Sequence, residues 1–218
     1  MITHTRNLGT QWRRATSLLP GVALAVLVAL RPWMEATMGR HMGLELPLLF
    51  LIGCWGGSAM GAHRLESWNA HGLPGLLFAQ CVLAFWMVPA ALDVAVLSAP
   101  MAMAKVASLV AAGAVAYLSW RTAGPVIQAF FVLNGIWMTF TVGMLYQTAS
   151  IQLCSDYLAD EQAAAGRATV FWAALALIGW LAGLIRVAVT AEGAENKASH
   201  TWRSSNSDTA NFNGRISL

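Results

Sequence analysis

Residues 44–62 read LELPLLFLIGCWGGSAMGA, a run whose one charged side chain, Glu45, stands near its start. The hydrocarbon core of a bilayer is about 30 Å thick and takes roughly 20 apolar residues of helix to cross, and this run meets that length. Pro47 falls where the helix would open, in the first turn, where a proline is tolerated. Five further stretches have the same character, near 17–34, 72–92, 102–120, 123–146 and 169–189. Gly72-Leu73-Pro74-Gly75 opens the third span and Ala123-Gly124-Pro125 the fifth. The pattern predicts an all-α, polytopic transmembrane bundle of six spans over residues 1–190. Residues 191–218, rich in Ser, Asn and Thr with little apolar content, predict a disordered tail.

Composition across the 218 residues agrees, with 57% hydrophobic and only 11% charged side chains. A soluble domain carries about 25%, so a nucleic-acid binder, a disordered protein and an ordinary cytosolic enzyme are excluded. The net charge of +3 calls for no polyanionic partner. Cys54, Cys81 and Cys154 form an odd set without metal-type spacing and predict no disulfide framework. Arg13-Arg14 before the first span resembles a signal peptide, but no small-x-small cleavage site follows before Arg31, which predicts a retained anchor.

An even number of spans puts both termini on one side. If that side is cytoplasmic it collects nine Lys/Arg, and the opposite side four: Arg31, Arg40, Lys105 and Arg167. Positive charge favours the cytoplasmic side, so both ends are predicted inside, with the chain a multi-pass protein of a bacterial inner membrane. The outer segments are then near 32–46, 90–106 and 146–168.

Seven of the ten methionines fall at that outer face: Met34, Met38, Met42, Met101 and Met103 in or beside the loops, Met87 and Met144 in the adjoining span ends. Spacings of three and four set Met34, Met38, His41 or Met42, and Glu45 along one side of a helix. Thioether and imidazole donors together suit Cu(I), whereas a carboxylate suits it poorly. The alternative is that Met only fills gaps at a loosely packed helix end. Ionisable groups gather at the same face: Glu45, Asp93, Lys105, Asp156, Asp160 and Glu161. Charge at a bilayer edge is costly and is usually paired or lines a polar cavity, so Asp93 or Glu45 is expected to pair with Lys105. That pair either locks the outer helix ends or shapes the mouth of an ion site. Among buried polar residues Asn134 lies mid-span, as interhelical glue or as part of a conduit.

No interior histidine pair is available for haem, since His63 and His71 lie at a cytoplasmic loop. A Ser/His/Asp set, a His-Glu-x-x-His and a phosphate-binding glycine loop are all missing, so no enzymatic activity is predicted. Gly53, Gly56, Gly57 and Gly61 make small-xxx-small patterns that favour close helix packing.

The stretch Met38-Gly-Arg-His41-Met42-Gly-Leu-Glu45-Leu-Pro47-Leu-Leu-Phe-Leu-Ile-Gly53 resembles the corresponding part of the CtaG-type cytochrome c oxidase assembly factors, and Phe85-Trp-Met-Val-Pro-Ala-Ala-Leu-Asp93 is similar to proteins near that group. The resemblance implies a polytopic protein associated with copper insertion into haem–copper oxidases. The family's second histidine is replaced by Glu45 or missing, and its members commonly have seven spans, so what carries over is His41 with Met42 beside it. The expected site is therefore His41, Met38 and Met42 holding Cu(I), with Met34, Met101 and Met103 as further thioethers and Glu45, Asp93, Lys105 and Asp156 as a polar outer cluster. The expected partners are the lipid bilayer and a copper chaperone or oxidase subunit, with no nucleic acid. A non-catalytic accessory subunit of a larger membrane complex and a small-solute or proton-linked transporter stand as alternatives.

Overall fold

A computed structural model describes the backbone of residues 18–60, 69–149 and 159–215, with side chains as far as 193. Asp156, Cys154 and His63 lie outside the described residues. All regular structure among the described residues is helical. The N-terminal apolar helix, α1, covers Leu18–Ala29. Among the described residues it ends at Ala29, five residues before the end of the span expected at 17–34. The chain turns at Leu30 and restarts as α2, Arg31–Met34, with Pro32 in its first turn. Pro32 has no N–H to continue the α1 hydrogen-bond ladder, and its ring blocks the carbonyl four residues back.

The second span is longer than its apolar run. It comprises α3 (Met38–Arg40), a π-helical turn at His41–Glu45 and α4 (Leu46–Ala59), counted together as one apolar helix, Met38–Ala59. The hydroxyl of Thr37 caps the start by accepting from the backbone N–H of Arg40. After a 3₁₀ turn at Ala70–Gly72 come α5 (Leu73–Trp86) and α6 (Pro89–Leu97), bent 75° apart. Pro89 explains the bend: Val88 is held extended, at φ −79° and ψ 123°. Residues 90–97 are consequently helix where the sequence predicts an outer loop. Then follow α7 (Ala99–Trp120), α8 (Pro125–Thr148) and α9 (Ala159–Arg215).

Among the described residues four helices are long and apolar enough to cross a membrane, or five if the bent pair α5–α6 counts as one span. The second, fourth, fifth and sixth predicted spans are thus matched by helices of spanning length, and the third by the bent pair. Residues 1–175 form one unit, and 176–218, the C-terminal portion of α9, form another. The α9 backbone is helical to Arg215; Ala, Glu and Lys at 191–198 are good helix formers.

The centre of the first unit is the α4–α7 pair, which runs parallel and touches backbone to backbone. A Cβ on Gly53 would strike the Val110 carbonyl, one on Gly57 would stand 2.8 Å from the Ala114 carbonyl oxygen, and one on Gly113 would strike the Phe50 carbonyl. Two helices of the small-xxx-small kind thus lock together without intervening side chains. α5 returns antiparallel along α7, with the Trp86 indole N–H donating to the Ser108 hydroxyl (2.8 Å) near one end and the Asn69 amide to the Ser119 hydroxyl (2.9 Å) at the other. Overpacking such a contact costs about 1–3 kcal/mol. Gly53→Ala and Gly113→Ala are each expected to lower stability by that amount in detergent unfolding, whereas Gly179→Ala, which faces open space, changes it little; equal effects at all three positions would contradict the packing.

Candidate functional site

The chemistry-bearing side chains meet at the end of the unit where α4 and α7 begin. Lys105, in the second turn of α7, has no exposed surface, and neither has His41. The ammonium nitrogen lies 2.7 Å from Glu45 Oε1, 2.9 Å from Glu35 Oε1 and 3.1 Å from His41 Nε2. An ammonium has three hydrogens to donate and no acceptor, so these three contacts use all of them. His41 Nε2 must then offer its lone pair, which makes the ring neutral in this arrangement with its proton on Nδ1. Glu45 Oε2 accepts no hydrogen bond among the described residues and faces the same His41 nitrogen at 3.6 Å.

The local fold explains the convergence. In the π-turn the N–H of Leu46 reaches back five residues to the His41 carbonyl, and π-turns within α-helices often sit at functional sites. The Trp172 indole on α9 donates to the Gly43 carbonyl at 2.6 Å, bracing this turn from the opposite side. Gly43 leaves room for α9, because a Cβ there would come 2.7 Å from Ala168 Cβ. Around the cluster, Met34, Met38 and Met42 are buried in one apolar core with Leu46, Leu49 and Leu109, and Met101 packs against it half-buried.

Of the residues singled out in the sequence, His41, Glu45 and Lys105 come into direct contact. Asp93 is half-buried on α6. Met34, Met38, Met42 and Met101 lie in the surrounding core, and Met103 is 72% exposed on the outer side of α7. Two residues are added that sequence reasoning did not place. Glu35 shares the ammonium, and Arg31 holds Glu35 through Nε at 2.7 Å while its other end donates to the Ala95 carbonyl of α6 at 3.1 Å. Their i,i+4 spacing in a chain so poor in charge was the available signal. Asn134 is exposed on α8.

Glu35, His41 and Glu45 each offer a ligand atom within 4.8 Å of the others, the geometry of a metal site. In this arrangement the Lys105 ammonium stands among those atoms and fills the place a cation would take. Two carboxylates and an imidazole are a hard-to-borderline set, while the thioethers are soft. Comparison with family models, with curated proteins and with solved structures gives no match for the chain.

Removing one partner of a buried ion pair costs about 3–5 kcal/mol, whereas replacing the whole set by apolar groups is often neutral. Lys105→Met should therefore destabilise the protein by that amount in detergent unfolding, and adding Glu45→Leu and Glu35→Leu should recover most of the loss. A neutral Lys105→Met would refute the pairing. Burial raises the Glu35 carboxyl, but its bonds to Arg31 and Lys105 outweigh burial and hold it below the ordinary 4.5. A carboxylate depressed on folding stabilises the protein above its unfolded value and loses that contribution as pH falls below it. Thermal unfolding of wild type should thus weaken from about pH 4.5 downward, with a shallower fall for Glu35→Gln; identical slopes would contradict the assignment.

Proposed function

We propose that the chain is a multi-pass inner-membrane protein that handles copper, as Cu(I), at its periplasmic face and assists the assembly of a cytochrome c oxidase or another copper enzyme. One observation carries this reading: His41 is buried at the same end of the unit as Met34, Met38 and Met42, in a region where water does not compete for soft donors. The carboxylates, which suit Cu(I) poorly, are already engaged by Lys105 and Arg31. His41 Nε2 is held by the ammonium, so metal entry exchanges one cation for another at that nitrogen while Lys105 keeps its two carboxylates. Met103, on the outer side of α7, is left out of the ligand set; Met101 is the nearer of the two to the core. Delivery is then ligand exchange with a copper chaperone or an oxidase subunit and needs no acid–base catalysis.

A second reading, a non-catalytic accessory subunit of a membrane complex, is favoured by the saturation of Lys105: three donors meet three acceptors, which is what a structural lock requires. Anaerobic Cu(I) titration of the detergent-purified protein separates the two. Under the copper reading, His41→Ala combined with Met38→Ala and Met42→Ala weakens binding by about 10- to 100-fold or more, the range that even supporting residues around a metal produce. Equal binding by wild type and variant, with helicity unchanged, leaves the accessory role.

A further inference from the structure

α8 has two unlike sides. Phe131, Gly143 and Tyr146 are buried, Gly135 faces Gln80 of α5, and Gly143 meets Gly166 and Val170 of α9. Phe130, Asn134, Trp137, Thr141 and Met144 are all exposed on the other side. Their spacing of four, three, four and three places them along one stripe of the helix. α9 is a useful contrast. Both spans have only 11% of their apolar window buried, against 39% for Met38–Ala59. The exposed side chains of α9 include Phe171, Leu175, Ile178, Ile185 and Val187, all of them apolar and content in hydrocarbon.

On α8 that is not so. Asn134 lies nine residues after Pro125, about 14 Å along the helix and near the middle of a bilayer core. Its amide makes no hydrogen bond to any described residue, and neither does the indole N–H of Trp137, 70% exposed one turn away. Tryptophan normally sits at the membrane–water boundary, where its N–H is wet. Hydrocarbon leaves both groups without a partner, and backbone or side-chain polar groups in lipid must find one.

We infer that the chain forms a parallel homodimer in the membrane through this α8 seam, with Asn134 hydrogen-bonded to Asn134 of a second copy. The occupant follows from the chemistry of the amide. Two copies inserted in the same orientation and paired about an axis along the bilayer normal bring Asn134 to its own counterpart at identical depth. A primary amide is self-complementary, its carbonyl accepting what its NH₂ donates. A foreign helix would need a polar group at matching depth, which self-pairing supplies automatically. A single polar residue at a seam position also fixes register, while Phe130 and Trp137 provide the apolar knobs on either side and Thr141 a small position. The inference is independent of metal binding.

The test uses full-length protein in phosphatidylcholine vesicles. Energy transfer between donor- and acceptor-labelled copies reads the monomer–dimer equilibrium as the protein is diluted in lipid. Wild type is expected to dimerise, Asn134→Leu to weaken association about 3- to 30-fold, the range of one interhelical side-chain hydrogen bond in a membrane, and Asn134→Gln to retain most of it. In a background where Cys54, Cys81 and Cys154 are replaced by Ala, Thr141→Cys should crosslink to its copy under oxidation and Met138→Cys, toward the bundle, should not. Either a wild type that stays monomeric at every dilution or crosslinking stronger at 138 than at 141 overturns the proposal, and the crosslinking arm holds even if Asn134→Leu folds poorly.

Discussion

A charged amine without access to water must be met by acceptors, and around Lys105 that requirement organises the end of the bundle. Its three donors reach Glu45 from the π-turn, Glu35 from the segment after α2 and His41 one helical turn before Glu45. Arg31 extends the chain of contacts from Glu35 to the Ala95 carbonyl of α6. The segment after α2, the π-turn and α7 thereby meet at one nitrogen, and Arg31 ties the first of them to α6. The Coulomb attraction inside a low-dielectric interior is large, but so is the cost of removing each ion from water. Such a set is therefore better understood as specifying one arrangement of helices than as adding net stability.

The ammonium can be delivered there only because α4 and α7 approach so closely. Glycines 53, 57 and 113 remove the side chains that would hold the axes apart, and the two helices run in the same direction, so the start of α7 lies beside the start of the second span. Moving the axes apart by one methyl-sized layer would withdraw Lys105 from the carboxylates. The glycine contact in the middle of the pair and the ion cluster at its end are thus two parts of one geometric condition.

How much of this the amino-acid sequence discloses depends on which physical signal each part uses. Length and apolarity reveal α4, α7, α8 and the first part of α9, because crossing hydrocarbon demands both. The second span extends further toward its N-terminus than its apolar run, since His41 is polar yet buried by pairing, and hydropathy alone ends a span at such a residue. Pro32 and Pro89 act as expected on the backbone, but sequence does not say whether a proline opens a span or breaks one; α1 stops short and α6 turns away by 75°. His41, Glu45 and Lys105 stand out as rare charges near span ends. Glu35 and Arg31 do not, because Arg31 is indistinguishable from an ordinary flanking positive charge until Glu35 is seen one turn on. Met101 and Met103 look equivalent when residues 90–106 are read as a loop. Once α7 begins at Ala99 they are about 200° apart on a helix, and only one can face inward.

The π-turn at His41–Glu45 is in effect a one-residue insertion into an otherwise regular α-helix. Everything upstream of it is out of phase with α4 by about 100°, the angle a single residue subtends. Excising one residue between positions 41 and 45 would restore a continuous α-helix and rotate Met38 and Arg40 to new azimuths, while Gly53 and Gly57 kept theirs against α7. The chain thus carries two rotational settings within a single membrane crossing, one chosen by packing and the other by charge.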